Sequence, residues 1–313
     1  MADISLIFFL SLTIIAIGFI IKKLKVIKEE DGKVIGKLIL NITLPAQIIF
    51  AVSQMEIDPT LLLLPFISIF FSFLVTAISY LLFRNQPKEI KGLVLMTTLG
   101  LNVFLFAFPI IHGIYGDQVT VYISMFDVGN AFIIFVFAFT LGMIFSPKNS
   151  SEELKVNMKE IGKNLLKSIP LMSYIIAIII NVVLNVSGAS LPVFFSDVLT
   201  TLSSANTALT LLLLGIYLNF KFEKSEWSIV LKILIIRYGF GIIIGLILFF
   251  TLPFTDLYRL IVLIMLVLPP GMTLLPYIIE FEYNEKVVGM VVNISIFISF
   301  ILMFFLIGIS GIT

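Results

Sequence analysis

The sequence has no cysteine, a single histidine and few charged residues. Of its 313 residues, 12% are charged and 60% are hydrophobic, whereas a soluble domain carries about 25% charged residues. Without cysteine, disulfides, thiolate catalysis and thiolate metal sites are excluded. One histidine, His112, cannot form a multi-histidine metal site. The net charge of +1 implies no bulk attraction to nucleic acid. We therefore expect a polytopic membrane protein without a metal, a cofactor or a nucleic-acid partner.

Motifs of ATP-driven pumps and of intramembrane enzymes are also missing. The phosphate-binding pattern GxxxxGK[ST], the metalloprotease pattern HExxH and the nucleophile pattern GxSxG do not occur, and no paired-aspartate metal motif is found. We therefore expect the chain not to be an enzyme and not to contain its own ATP-driven motor.

Long apolar runs are what the sequence does contain. A helix needs about 20 mostly apolar residues to cross a bilayer. The first run could be mistaken for a signal peptide, but its start is acidic and no small-residue cleavage site follows, so we interpret it as a retained helix. The ten predicted spans are approximately 4–21, 34–53, 61–83, 91–114, 119–145, 168–186, 192–219, 228–251, 258–283 and 287–310.

Lysine and arginine are distributed very unevenly along these spans. Eighteen of the 20 lie in or beside the connections after odd-numbered spans, and the connections after even-numbered spans contain only Arg259. Because cytoplasmic loops are enriched in Lys and Arg, the lysine-rich loops are predicted to be cytoplasmic and both termini extracytoplasmic. The expected location is the plasma membrane.

The spans divide into two halves around a hydrophilic stretch. We predict a first five-helix repeat over 1–146, an amphipathic cytoplasmic linker over 147–167 and a second five-helix repeat over 168–313. Because five is odd, the second repeat starts on the opposite side of the membrane, and the repeats have inverted topology. The fold class is an all-α polytopic membrane protein.

Helix breakers fall at corresponding positions of the two halves. Span nine contains LPPGMTLLP, in which Pro269 is followed by Pro276, and span four contains Asn102 followed at the same distance by Pro109. A proline inside a helix costs about 3 kcal/mol. Such breaks are tolerated in a membrane where the freed backbone lines a cavity, and their half-helix N-termini can hold an anion. Paired breaks of this kind indicate a transporter binding site.

Three stretches match one protein family. They are Asn41-Ile-Thr-Leu-Pro45-Ala in span two, the Asn102 to Pro109 stretch and Leu268-Pro-Pro-Gly-Met-Thr-Leu-Leu-Pro276. Through them the chain resembles, over its whole length, the auxin efflux carrier family, which includes plant PIN-like carriers and microbial malonate or malate permeases. Its short central loop is typical of the microbial members.

The resemblance implies a fold similar to that of the bile-acid sodium symporter superfamily. Spans one, two, six and seven would form a scaffold, and spans three, four, five, eight, nine and ten a mobile core. Spans four and nine would cross at the substrate. The family resemblance also implies a homodimer joined through the scaffold, an elevator-like movement of the core and an organic-anion substrate.

Two sets of candidate site residues follow from the breaks and from the polar residues within spans. The substrate-binding candidates are Asn41, Asn102, Pro109, Arg237, Pro269, Pro270, Gly271, Met272 and Thr273. The ion-coupling candidates are Asp127, Asn130 and Asn293. Asn130 and Asn293 can instead support the structure by bonding to the backbone of the crossing segments. An ionisable residue within a span is functional by default.

Several of these residues have more than one interpretation. Asp127 can carry a proton, ligate sodium or serve as a structural partner. Arg237 lies at a similar depth, so it can pair with Asp127, bind the substrate anion or serve a purely structural role. Asn41 and Gln47 either face the cavity or satisfy backbone groups freed by Pro45.

The function that fits these features is a secondary carrier of small organic anions. Mono- or dicarboxylates such as malonate, malate or auxin-like acids are the expected substrates, moved by elevator-type alternating access. Coupling to H+ or Na+ and uniport remain open. The alternative is an ion channel or membrane sensor with the same fold, although the sequence shows no repeated pore-lining residues.

Overall fold

The apolar runs of the sequence fold as α-helices. The computed structural model describes residues 4–53, 55, 58–147, 169–219 and 224–312, and these residues form helices, turns and loops without a β-strand. A helix satisfies its own backbone hydrogen bonds, which hydrocarbon requires. Large apolar side chains remain exposed on the outside, as at Phe9 and Val186, and suit contact with lipid. Beyond its first residue, the predicted linker 147–167 lies outside the described residues.

The helices of the described residues have the following bounds. They are α1 (Ile4–Lys23), α2 (Gly32–Leu38), α3 (Leu44–Ser53), α4 (Leu63–Leu82), α5 (Lys88–Thr98), α6 (Phe108–Tyr115), α7 (Thr120–Phe132), α8 (Phe139–Phe145), α9 (Ile169–Ser187), α10 (Val193–Tyr217), α11 (Trp227–Thr251), α12 (Asp256–Leu266), α13 (Leu275–Glu280) and α14 (Glu285–Ser310). Stretches of π-helix join α2 to α3 (Ile39–Thr43), precede α6 (Val103–Ala107) and join α7 to α8 (Ile133–Ala138). A 3₁₀ turn, Met272–Leu274, precedes α13.

Eight helices in the described residues are long and apolar enough to cross a membrane, or nine if one bent pair counts as a single span. The eight confirm predicted spans one, two, three, five, six, seven, eight and ten. The bent pair is α5 with Val103–Tyr115, which meet at 50°. Predicted span nine consists of the shorter helices α12 and α13, separated by non-helical residues. The ten-span count and the inverted repeats stay predictions.

The helices pack as two groups. In the first group, α1 packs along α10, and α3 packs against α9 and α10; α2 continues into α3. In the second group, α4 packs against α7, α5 against α8, and α11 against α12, with α6, α13 and α14 also belonging to it. The groups meet where α7 contacts α3 and α9 and where α6 contacts α1.

Glycine allows α1 and α10 to approach closely. A Cβ atom added to Gly215 would lie 2.0 Å from the carbonyl oxygen of Ile15, and one added to Gly18 would lie 2.3 Å from that of Leu212. Small residues at helix crossings let backbones approach in this way in membrane proteins. The first group therefore depends on these two glycines.

A buried polar network joins α3 to α10. The Thr43 hydroxyl donates to Asn206 Oδ1 at 2.8 Å, and Asn206 Nδ2 donates to Gln47 Oε1 at 2.6 Å. Gln47 therefore pairs with a side chain of the neighbouring helix. Hydrogen bonds of this kind fix helix positions where lipid supplies no hydrophobic driving force between helices.

Candidate functional site

Two interrupted segments of the chain meet at their interruptions. The first broken segment comprises α5, residues 99–102 and residues 103–115, and the second comprises α12, residues 267–271 and residues 272–280. The backbone N–H of Asn102 donates to the carbonyl of Pro269 at 2.9 Å. We call this contact and its surroundings the crossing. Backbone groups freed by the two breaks thus satisfy one another away from lipid.

Gly100 makes the turn after α5. Its φ angle is +66°, in the left-handed region that favours glycine, and a Cβ there would lie 2.6 Å from Ile134 Cγ1. A left-handed glycine immediately after a helix is a common helix terminator. The local sequence Leu99-Gly100 therefore ends α5 and aims the following residues toward the second broken segment.

Arg237 binds the carbonyl ends of both broken segments. From α11, its Nε donates to the carbonyl of Leu268 at 3.0 Å, and its Nη2 donates to that of Gly100 at 2.8 Å. Its Nη1 lies 3.3 and 3.2 Å from the carbonyls of Thr97 and Thr98. The side chain is buried, with 1% of its surface exposed.

The C-terminal ends of α5 and α12 explain how the buried positive charge of Arg237 is accommodated. Each helix C-terminus carries a partial charge of about −0.5, and α5 and α12 both end at the Arg237 guanidinium. Five donors on a planar fork suit several carbonyl acceptors at once. In the described residues, no ion pair joins Arg237 to Asp127. In this conformation Arg237 fixes the crossing, with its nitrogens occupied by backbone carbonyls.

Asn130 attaches α7 to the first broken segment. Its Oδ1 accepts the backbone N–H of Leu101 at 2.7 Å, and its Nδ2 donates to the carbonyl of the same residue at 2.9 Å. Nδ2 also lies 2.7 Å from Asp127 Oδ1. The second carboxylate oxygen of Asp127 accepts a hydrogen bond from the Tyr174 hydroxyl, again at 2.7 Å.

A small pocket at the crossing holds polar groups that lack a partner. The pocket has a volume of about 40 Å³, and Asn102, Asp127, Gly271 and Thr273 are among its lining residues. Asn102 Nδ2 and Thr273 Oγ1 are buried and have no hydrogen-bond partner among the described residues. Leaving a buried polar atom unpaired costs about 1–3 kcal/mol. Groups of this kind are suited to a polar ligand, and the Asn102 side chain does not cap the helix that follows it.

A much larger cavity reaches the same place from one side of the protein. This central cavity has a volume of about 1460 Å³. Leu40, Leu105 and Thr273 line both the central cavity and the crossing pocket. Charged residues of both signs surround its opening: Glu29, Glu30, Lys33, Lys37, Glu280, Glu285 and Lys286. The central cavity therefore extends to residues of the crossing pocket.

The structure brings most of the predicted site residues together. Asn102, Gly271, Met272 and Thr273 line one or both of the cavities, as do Asp127, Asn130 and Asn293. Pro109, Pro269 and Pro270 are buried and shape the breaks without lining either cavity. Asn41 is exposed and donates to the carbonyl of Lys37 at 2.8 Å, so it lies apart from the crossing.

Three residues at this site were missed by sequence reasoning. Gly100 and Leu101 precede the break marked by Asn102, and a glycine within two residues of an Asn in an apolar run is a signal for a turn. Tyr174 lies within an apolar helix, where a tyrosine has no distinguishing pattern.

In the described residues, no group of three or more His, Asp or Glu side chains is placed to hold a metal.

The fold and the crossing define a polytopic helical membrane protein with a buried polar site at the end of a cavity. The chain matches the model of the family described as membrane transport protein over residues 5–307, and it therefore belongs to this family, that of the auxin efflux carriers. It is 26% identical over 231 residues to an uncharacterized transporter of Methanocaldococcus jannaschii, covering 71% of this chain and 72% of that protein. It is also 26% identical over 222 residues to an uncharacterized transporter of Methanothermobacter thermautotrophicus, covering 69% and 68%. The family resemblance is confirmed.

Proposed function

We propose that this protein is a secondary carrier of small organic anions and that the crossing is its substrate site. The observation that carries the proposal is a pair of buried groups, Asn102 Nδ2 and Thr273 Oγ1, that have no hydrogen-bond partner among the described residues. Both residues line the crossing pocket, and Thr273 also lines the central cavity. Both can donate a hydrogen bond to a carboxylate. The helical turns that begin after Asn102 and Gly271 direct N–H groups toward the same region.

The substrate's charge is met by dipoles and amides rather than by a free cation. Arg237 is the cation at the crossing, and its nitrogens bind backbone carbonyls. Its charge and the half-helix N-termini still favour an anion electrostatically. Mono- and dicarboxylates such as malonate, malate and auxin-like acids are the substrates to test first. Weak, reversible binding of this kind suits a carrier, which has to release what it binds.

In this proposal the first helix group is a fixed scaffold and the second helix group is a mobile core. Movement of the core against the scaffold would expose the site to each side of the membrane in turn. The lysines at the opening of the central cavity belong to the side that the sequence predicts to be cytoplasmic. The described conformation would then be open to the cytoplasm, in a plasma-membrane protein with extracytoplasmic termini. The exposed apolar surface of the first group would supply the homodimer contact.

Asp127 is the proposed coupling group, with Asn130 and Asn293 as its polar neighbours or counterparts on α7 and α14. Asp127 lines the crossing pocket, so an ion bound to it would lie beside the substrate. Either a proton or Na+ can occupy that place, and the carboxylate has lone pairs left after accepting from Asn130 and Tyr174.

The test is uptake of labelled malonate and malate into proteoliposomes under an imposed proton or sodium gradient. We expect one gradient to drive accumulation of one of the acids by the wild-type protein. Asp127→Asn should retain downhill exchange and lose accumulation. Thr140→Val is the matched control, because the Thr140 hydroxyl bonds to the carbonyl of Val136 on its own helix.

Counterflow separates the carrier from the alternative of a channel or sensor. A carrier preloaded with unlabelled acid accumulates labelled acid transiently without any ion gradient, whereas a channel does not. Flux without counterflow would overturn the carrier, and the absence of flux for both acids under every gradient would overturn the dicarboxylate assignment.

A further inference from the structure

Tyr174 lies at the boundary between the two helix groups. It belongs to α9 of the first group, and 1% of its surface is exposed. Its hydroxyl donates to Asp127 Oδ2, on α7 of the second group, at 2.7 Å. A hydrogen bond to a carboxylate is shorter and about twice as strong as one between neutral groups. Tyr174 thus makes a specific polar contact with the group proposed to couple transport.

This contact continues to the crossing. Asp127 accepts from Asn130, which holds both backbone groups of Leu101, the residue next to Asn102. The Tyr174 ring also packs against Phe104, with ring centroids 6.3 Å apart. One side chain of the first group therefore touches two elements that build the crossing pocket.

Polar and apolar contacts at this boundary respond differently to movement. Phe8 of α1 packs edge-on against Phe300 of α14, with ring centroids 4.9 Å apart. The ring geometry contributes only about 0.5–1.5 kcal/mol, and the hydrophobic part of the contact is non-directional. A hydrogen bond weakens steeply once its length and angle depart from their preferred values. A displacement of the second group that carried Asp127 away by a few ångströms would therefore break its bond to Tyr174.

We propose that Tyr174 is a positioning residue of the transport cycle, whose hydroxyl holds the second group against the first in the described conformation through Asp127. The proposal rests on the alternating-access function given above. A second bond between the groups, from the Asn219 N–H to Asn293 Oδ1 at 3.0 Å, lies on the cytoplasmic side by the same topology. Both bonds would be released when the second group moves, and Tyr174 is the partner that a single conservative substitution removes.

Because the chain has no cysteine, one introduced thiol can measure the balance between conformations without a substrate. Leu275 lines the central cavity and is half-buried, so Leu275→Cys places one reactive thiol there. A membrane-impermeant maleimide is applied to either side of reconstituted vesicles of known orientation. The ratio of the two labelling rates reports how the protein divides between conformations open to each side.

Tyr174→Phe in this background should shift the labelling ratio about tenfold away from the cavity side, since one hydrogen bond to a charged group is lost from one conformation only. The matched control is Tyr115→Phe, because the Tyr115 hydroxyl bonds to the carbonyl of Ile312 within the second group. It should leave the ratio unchanged. Asp127→Asn should shift the ratio in the same direction, and the double variant should shift it by less than the two shifts combined.

An unchanged ratio in Tyr174→Phe, or an equal shift in Tyr115→Phe, would overturn the role of Tyr174. The thermal unfolding temperature of each variant separates a changed conformational balance from partial unfolding, since unfolding would raise labelling from both sides. Labelling needs no substrate, so a shifted ratio in a protein that carries neither malonate nor malate would contradict the proposed substrate and still support the role of Tyr174.

Discussion

The backbone N–H of Asn102 lies 2.9 Å from the carbonyl oxygen of Pro269, and this hydrogen bond joins the two interrupted segments of the chain. Each residue stands at the break of its own segment. Their meeting explains how an apolar protein tolerates Pro269, Pro270 and Gly271 in the middle of predicted span nine. Backbone groups freed by the breaks bind one another, Arg237 or Asn130 rather than facing hydrocarbon.

Replacing Arg237 should destabilise the whole crossing. Arg237→Met leaves the carbonyls at the ends of α5 and α12 buried without their donor, which we expect to lower the free energy of unfolding by about 3 kcal/mol or more. Thermal unfolding of the purified protein in detergent measures the effect. Arg237→Lys should rescue only part of it, because an ammonium group cannot reach all four carbonyls.

Lys232→Met is the control for this prediction. Lys232 lies exposed on the same helix, α11, and its loss should change the free energy of unfolding by less than about 0.5 kcal/mol. If Arg237→Met unfolded at the wild-type temperature while binding malonate or malate more weakly, Arg237 would be a substrate ligand and its structural role would be wrong.

Asn130→Asp should loosen the attachment of α7 to the first broken segment. The substitution keeps the size of the side chain and removes the donor to the Leu101 carbonyl, and it places a second carboxylate beside Asp127. We expect a loss of about 1–3 kcal/mol in the free energy of unfolding and slower transport. Asn85→Asp, at an exposed position of the turn after α4, should unfold like the wild-type protein. Equal unfolding temperatures for the two variants would contradict the role of Asn130.

Gly215→Ala should force α1 and α10 apart. The added Cβ would lie 2.0 Å from the Ile15 carbonyl oxygen, and overpacking of this kind costs about 1–3 kcal/mol. The matched substitution is Gly239→Ala on α11, where nothing lies within 4 Å of the added atom. There the higher helix propensity of alanine should stabilise the protein by up to about 1 kcal/mol. The unfolding temperature should fall in Gly215→Ala and rise in Gly239→Ala. A higher unfolding temperature for Gly215→Ala would contradict the close packing of α1 against α10.

Most helices and the meeting of the two broken segments were predictable from the sequence. Hydrophobicity located eight spans because twenty consecutive apolar residues have few alternatives to a membrane helix. Paired breakers located the crossing because Asn102 and Pro269 interrupt their segments at corresponding places. Span two was also identified, although Asn41 and Pro45 interrupt its apolar run. In the structure the helix continues through this interruption as a π-helical stretch.

Asn130 was expected as a possible partner of the crossing backbone, and it bonds to Leu101 there. The partners of Arg237 and Asp127 were not predictable. Depth along a helix placed Arg237 level with Asp127. The rotation of each helix about its axis decides which side chains meet, however. In the structure Arg237 faces backbone carbonyls and Asp127 faces Tyr174. Asn41 was a substrate-site candidate as a polar residue within a predicted span, but its side chain is exposed and bonds to the Lys37 carbonyl. Rotation depends on packing between distant segments, as at Gly18 and Gly215, which a sequence pattern does not encode.

The central claim is that a carboxylate binds between Asn102 and Thr273, and its most direct test is ligand-induced thermal stabilisation measured with malonate, malate and an auxin-like acid. Wild type, Asn102→Leu, Thr273→Val and the control Thr140→Val are compared as purified proteins. At least one acid should raise the unfolding temperature of wild type and Thr140→Val equally. Asn102→Leu and Thr273→Val should need about a tenfold higher concentration of that acid for the same rise, because each lacks one hydrogen bond to the ligand. Equal stabilisation of all four proteins by the same acid would place its binding site elsewhere and contradict the account.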